Sequence, residues 1–242
     1  MIEAHDKAVL HFSGGKDSLA CLYLLRPYWD RLTVMWCNTG DAFPETHRQM
    51  ERISAMVPHF VEVAGDLPNQ QEECGPPADL LPVWNSVYGR AVDEGHSPFR
   101  VQDPLSCCSA NIWQPVAEAT KLLGFTLVIR GQRSAESRKG LIRSGHVEAG
   151  VRYWFPIEDW TSTDVMAYLK EEGVELPLHY QYVDSSLDCQ MCTAYLNENR
   201  GKFAYIREQH PVLHARLRER FAYIMNAVNA ESAHMLAVME EF

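Results

Sequence analysis

The chain has 242 residues, 46% of them hydrophobic, with a formal net charge of −10 and seven cysteines. A chain of this size supports one sizeable core, or one core with a small helical appendage. The acidic balance argues against long unspecific tracking along nucleic acid, which needs broad Lys/Arg surfaces to displace counterions, and leaves docking through a local patch open.

The opening MIEAHDKAVLHF pairs no basic segment with a long apolar run, so neither export nor a membrane span is expected, and the cytoplasm is the expected compartment. Ala8-Val9-Leu10-His11-Phe12 reads as a buried strand, and Leu19, Leu22, Leu24 and Leu25 supply the apolar positions of a helix starting near Lys16. Leu32 to Cys37 reads as a second strand, followed by Asn38-Thr39-Gly40 and a helix opened by Pro44. Phe60 to Val63 is the third expected strand. Residues 65 to 105 are punctuated by Pro68, Pro76, Pro77, Pro82, Pro98 and Pro104, leaving room only for a short helix around Leu80 to Val92. A helix from about Ser109 to Leu123 and a strand from Phe125 to Ile129 restore the rhythm. A polar, Arg-rich loop is then expected from Gly131 to Gly150. Thr161-Ser162-Thr163-Asp164 has the spacing of a capping box before Val165 to Glu171, with Gly173 as its stop. The stretch after His210-Pro211 reads as a long terminal helix, packed on the main domain or on a second subunit as in a homodimer. Strand and helix patterns that alternate in this way predict an α/β fold with a doubly wound, mostly parallel sheet and a C-terminal helical extension. The domain division expected is 1–196 and 197–242.

Between the first strand and its helix stands Ser13-Gly14-Gly15-Lys16-Asp17-Ser18. Small residues there let backbone N–H groups converge on one point, the helix aims its positive dipole end at the same place, and Lys16 adds a full charge. The pattern is neither GxxxxGK[ST] nor GxGxxG, so the ordinary NTPase and nicotinamide readings lose their main support. A glycine-rich turn without a ligand is the plain alternative. Arg130, Arg133, Arg138, Lys139 and Arg143 follow a strand's carboxyl end, where open α/β sheets place ligands. Guanidinium forks suit phosphate or sulfate oxygens, with Glu136 orienting one of them; a solvated charged loop is the plain alternative, and it is the reading for Lys139 and Arg143. Cys107-Cys108 and Cys189-x-x-Cys192 offer four thiolates to one centre, which admits an iron–sulfur cluster or zinc. Adjacent cysteines are an awkward supply for zinc, because neighbouring side chains diverge. Cys21 and Cys37 read as core thiols. His210 and His214 straddle a proline, and the tryptophans read as core or interface aromatics.

These segments carry a resemblance. SGGKDS resembles the pyrophosphate loop of the PP-loop ATP pyrophosphatases, the adenine nucleotide α-hydrolase superfamily. Asn38-Thr39-Gly40-Asp41-Ala42-Phe43-Pro44-Glu45-Thr46 resembles a segment of its phosphoadenylyl-sulfate (PAPS) reductase family. Gly131 to Arg138, Pro156-Ile157-Glu158-Asp159-Trp160 and Asp188-Cys189-Gln190-Met191-Cys192-Thr193 follow in the family's order. The resemblance implies an adenine nucleotide held by Ser13, Gly14, Gly15, Lys16, Asp17 and Ser18, with Asn38, Thr39 and Gly40 near adenosine and Gly131, Arg133, Glu136 and Arg138 on the anion. It also implies a four-iron four-sulfur (4Fe-4S) cluster on Cys107, Cys108, Cys189 and Cys192. Reductases of the family carry a nucleophilic cysteine in a C-terminal Glu-Cys-Gly, and no cysteine follows Cys192 here; Glu73-Cys74-Gly75 stands elsewhere, in the proline-rich insertion. The intact Lys16-Asp17-Ser18 resembles members that cleave ATP. The leading expectation is therefore cleavage of Mg-ATP to AMP and pyrophosphate, activating a substrate for sulfur insertion of the nucleic-acid thio-modification type. Lys16 and Arg133 would stabilise charge and Asp17 would help hold magnesium. The alternatives are a thiol-dependent adenylyl-sulfate or PAPS reductase, and a non-catalytic nucleotide or redox sensor. A sulfur- or electron-donor protein is the expected partner, and an acidic chain would reach nucleic acid only with partner proteins.

Overall fold

The computed structural model describes residues 1–92, 95, 97–135 and 142–241. The chain forms two compact units from interleaved segments, one comprising residues 1–38, 42–65 and 114–188, the other 39–41, 66–113 and 189–242.

The first unit holds the sheet. Its elements are β1 (Ala8–His11), α1 (Lys16–Leu24), β2 (Leu32–Asn38), α2 (Pro44–Met56) and β3 (Phe60–Ala64). The second unit inserts α3 (Leu67–Cys74), α4 (Val87–Val92) and α5 (Pro104–Cys108), followed by a π-helical turn, Ser109–Trp113. The first unit resumes with α6 (Gln114–Leu122), β4 (Leu127–Arg130), β5 (Val147–Glu148), β6 (Val151–Trp154) and α7 (Ser162–Glu171); α8 (Arg200–Gln209) and α9 (Pro211–Glu240) complete the second. The six strands run in the order β3-β2-β1-β4-β6-β5, all parallel except the β5–β6 hairpin. Among the described residues no helix is long and apolar enough to cross a membrane.

Side chains alternate across the strands. Leu10, Leu127 and Ile129 join Leu22, Val165 and Leu169 in one core layer, whereas Val9, Met35 and Val128 face the other. The strand residues of both layers are buried, as the continuous apolar run of a parallel strand requires. The chain leaves β1 for β2 on one side and reaches β4 on the other, so the strand order reverses between β1 and β4. Carboxyl ends at such a reversal open into the crevice where α/β sheets bind ligands.

Three sequence expectations change. Residues 65 to 105 hold α3 as well as α4, and α4 begins only at Val87, after a 3₁₀ turn at Val83–Asn85. The helix expected from Ser109 is broken by the π-helical turn and starts anew at Gln114. The expected loop 131–150 ends in the β5–β6 hairpin, whose two-residue turn sets both Ala149 and Gly150 at positive φ. Thr161 and Asp164 form the capping box as expected, Thr161 Oγ1 accepting from the Asp164 N–H and the Asp164 carboxylate from the Thr161 N–H.

His11, at the end of β1, stands beside Arg130. Its Nε2 lies 3.0 Å from Thr120 Oγ1, whose own proton goes to the Val116 carbonyl, and its Nδ1 accepts from Arg130 Nε at 3.3 Å. Burial, then the neighbouring guanidinium, lowers its pKa to about 3. The unfolded chain therefore takes up a proton near pH 6.5 that the folded chain refuses, and stability falls as pH drops from about 6.5 toward about 3. Urea titrations should give this histidine a slope of up to about 1.4 kcal/mol per pH unit in that window, and His11→Gln should flatten the curve by that amount. Equal slopes in the two proteins would contradict the assignment.

Candidate functional site

The turn after β1 is built from residues that admit close approach. Gly14 has φ +79, and a Cβ there would lie 2.7 Å from Met50 Cε. Its carbonyl accepts from Gln49 Nε2 at 3.0 Å. The N-terminus of α1 has no side-chain cap, so its positive end stays available to an anion. Gly15 N–H donates to Ser13 Oγ at 3.3 Å, and Ser18 Oγ donates to the Gly15 carbonyl at 2.9 Å. The Lys16 N–H donates to the hydroxyl of Tyr180 at 2.6 Å. Burial raises the pKa of that phenol, which keeps it neutral.

Lys16 is 1% exposed. A lone ammonium so placed is costly, and three oxygens surround this one: the Asp17 carboxylate at 3.1 Å, the Asp184 carbonyl at 2.9 Å and the Asp184 carboxylate at 3.5 Å. Arg133, 6% exposed, donates Nε to the other oxygen of Asp17 at 2.6 Å. Asp17 thus bridges the β1 turn to the segment that follows β4. That segment reaches the loop through Gly131, where a Cβ would lie 2.6 Å from the Asp17 carbonyl carbon. Gln132 keeps its amide nitrogen buried with no hydrogen-bond partner among the described residues. An uncapped helix end, two buried cations and an unused amide donor suit a phosphate- or sulfate-bearing ligand.

The four expected metal ligands all fall in the second unit. Cys107, Cys108, Cys189 and Cys192 line one small pocket with Leu67, Gln71 and Tyr195. Gln71 Nε2 donates to Cys107 Sγ at 3.6 Å, the Tyr195 hydroxyl lies 3.7 Å from Cys108 Sγ, and Cys189 Sγ lies 3.5 Å from Thr39 Oγ1. Burial pushes the Cys107 thiol up to about 12. Asp41 fastens the CxxC turn, its carbonyl accepting from the Gln190 N–H and its carboxylate from the Met191 N–H, both at 2.8 Å. Lys202 Nζ adds a 2.7 Å bond to the Cys189 carbonyl. Among the described residues no three His, Cys, Asp or Glu side chains are drawn into a ready metal-holding group. In kind and placement the donor set nonetheless fits a thiolate-ligated centre: four sulfurs face one pocket, with amide and hydroxyl donors around them.

Of the expected nucleotide ligands, Ser13 to Ser18, Gly131 and Arg133 come together in the first unit. Asn38 ends β2 and donates to Glu62 at 2.8 Å. Thr39 and Gly40 belong to the second unit, where Thr39 faces Cys189 and Gly40, at φ +81, lies against Pro68. Glu136 and Arg138 lie outside the described residues, as does Lys139. Tyr180, Asp184, Gln71 and Tyr195 were not expected. No motif marks them, although Tyr180 and Asp184 stand just before the CxxC pair in sequence. Cys21 is a buried core thiol, as expected.

The sequence matches the family described as "Phosphoadenosine phosphosulfate reductase domain" over residues 7–195. It is 27% identical over 180 residues to a phosphoadenosine 5'-phosphosulfate reductase of Gloeobacter violaceus, an alignment covering 72% of this chain and 66% of that protein. It is 24% identical over 196 residues to a sulfate adenylyltransferase subunit 2 of Streptomyces lavendulae, covering 72% of this chain and 56% of that one. The chain thus spans two thirds or less of the length of these relatives. A solved phosphoadenylyl-sulfate reductase of Candida auris, in a phosphate complex, superposes with TM-score 0.51 at 17% identity over 74% of this chain and 80% of that one. The sheet is accordingly an adenine nucleotide α-hydrolase-like α/β fold.

The contact at Gly131 yields a stability test. Gly131→Ala should lower the melting temperature by about 4–8 °C, the equivalent of about 2 kcal/mol in a chain of this size, because the added methyl must displace the backbone at Asp17. Gly124→Ala has open space around its Cβ and carries only the cost of its positive φ, about 1 kcal/mol. Calorimetry giving Gly131→Ala the smaller effect would contradict the close approach.

Proposed function

Since this chain belongs to the phosphoadenosine phosphosulfate reductase domain family, we propose that it binds an adenylyl sulfate, with or without a 3'-phosphate, and releases sulfite using an external dithiol as reductant. The observation that carries this reading is the anion nest of Ser13 to Lys16, set with Arg133 at the β1/β4 reversal of the sheet. Backbone N–H groups and the α1 dipole receive the phosphate oxygens, and Lys16 and Arg133 offset the charge that grows on the phosphate as it leaves. The Tyr180 hydroxyl now occupies the Lys16 N–H; a bound oxyanion takes its place. An incoming thiolate attacks the sulfate sulfur, forming an S–S bond as the S–O bond to phosphate breaks. The second thiol then displaces sulfite and leaves a disulfide. Cys74 is half-buried and is not among the residues that line the thiol pocket, so the thiol is assigned to the external reductant.

Cleavage of Mg-ATP, the expectation drawn from the intact loop, becomes the second reading. Asp17 is already shared between Lys16 and Arg133, which leaves its carboxylate poorly disposed for magnesium. The likeness to a sulfate adenylyltransferase subunit and the complete Lys16-Asp17-Ser18 favour that reading. In either case Cys107, Cys108, Cys189 and Cys192 are the residues proposed to hold a four-iron four-sulfur cluster, which when bound supplies a redox-active, sulfide-rich centre.

The test uses protein purified without oxygen, assayed for iron and acid-labile sulfide, then offered adenylyl sulfate or its 3'-phosphate with dithiol. About four irons per chain, lost in Cys107→Ser, are expected. Sulfite release should fall about 10²- to 10³-fold in Lys16→Ala and persist in Cys74→Ser. AMP and pyrophosphate from Mg-ATP, with the sulfonucleotides untouched, would overturn the reductase reading in favour of the second.

A further inference from the structure

Outside the thiol pocket, the second unit carries an open cleft of about 510 Å³. It is a constructed feature rather than a surface irregularity. Gly75, at φ +81, leaves room for the Arg100 carbonyl, which would stand 1.7 Å from a Cβ there. The Arg100 N–H donates to the Tyr223 hydroxyl at 2.8 Å, and Phe99 packs edge-on against the Tyr223 ring, so the wall that bears Arg100 is pinned to α9.

Three guanidiniums line the cleft, those of Arg100, Arg216 and Arg220, against two carboxylates, Glu72 and Glu219. The lining is thus net positive in a chain of net charge −10. Arg216 and Arg220 stand one helical turn apart on α9, a spacing at which like charges repel. Arg220 is held from below: Nη1 donates to Gln71 Oε1 at 2.5 Å and to the Met191 carbonyl at 2.9 Å, and the Asp41 carboxylate offsets its charge. Arg100 uses one nitrogen on the Glu73 carbonyl at 2.8 Å, leaving most of its guanidinium donors unused. Arg216 makes no hydrogen bond or ion pair with any described residue. A doubly charged oxyanion answers each of these features. It offsets the Arg216–Arg220 repulsion, and its paired oxygens match the guanidinium fork.

We propose that this cleft is a second ligand site, taking a small molecule with a tetrahedral or pyramidal oxyanion head, a phosphate, sulfate or sulfite group, held by Arg216 and Arg100. The cleft volume suits an organic ester or acid larger than the bare ion. Arg216, Arg220 and Tyr223 lie beyond the residues matched to the family, 7–195, whereas Arg100 lies within them. The site goes beyond the reaction proposed above and stands without it.

Calorimetric titration of the full chain with inorganic phosphate, sulfate and sulfite tests the assignment, with Lys16→Ala as the background that removes binding at the β1 turn. Saturable binding should survive in Lys16→Ala and weaken at least about tenfold, the loss of one charge-assisted contact, when Arg216→Ala or Arg100→Ala is added. Arg216→Lys should recover part of the loss. The tightest of the three ions then identifies the head group. Absence of saturable binding in Lys16→Ala, or an affinity unmoved by both Arg216→Ala and Arg100→Ala, would overturn the proposal.

Discussion

Burial of the Lys16 ammonium is the constraint on which the β1 turn, the proposed anion site, depends. At 1% exposure this charge persists only with oxygens around it, and they come from different parts of the first unit: Asp17 from the same turn, and Asp184 from the segment after α7. Asp17 in turn recruits Arg133 from beyond β4. Breaking one arm of such a buried pair costs about 3–5 kcal/mol, because the remaining charge is left uncompensated. The network therefore locks the β1 turn, the strand reversal and the segment around Tyr180 into one arrangement before any ligand arrives. Charge held in place this way leaves only the Tyr180 hydroxyl on the Lys16 N–H to be displaced when anionic oxygens enter.

The second unit is organised around its four cysteines. The CxxC turn is tied by backbone bonds to Asp41, by Lys202 to the Cys189 carbonyl and by Arg220 to the Met191 carbonyl. Gln71 meets Arg220 on one side and Cys107 on the other. The thiol pocket and the arginine cleft thus share Gln71, and the orientation of a sulfur donor is set by a residue that also lines a charged cleft.

Much of this was legible in the residues, for reasons that differ by element. β1 and β4 announce themselves because strands buried on both faces are apolar throughout, and Gly14 because a left-handed turn leaves few other choices. The four cysteines were recognisable as a set from a tandem pair and a CxxC. The β5–β6 hairpin was missed because its turn uses Ala149-Gly150, a weaker signal than Asn-Gly. The break at Ser109–Trp113 was missed because a π-helical turn keeps a helical composition. Tyr180 on the Lys16 N–H and Thr39 beside Cys189 join residues 164 and 150 positions apart, and no local pattern reports such partners. The intact Lys16-Asp17-Ser18 suggested that Asp17 helps hold magnesium, and no local pattern reports that its carboxylate also meets Lys16 and Arg133.

The central claim is that the β1 turn receives the ligand's oxyanion, and a crystal structure with adenylyl sulfate bound tests it most directly. The account predicts phosphate or sulfate oxygens on the Gly15 and Lys16 N–H groups, Arg133 in contact with them, and the Tyr180 hydroxyl displaced. A nucleotide bound elsewhere, with the 2.6 Å bond from Lys16 N–H to Tyr180 intact, would contradict it.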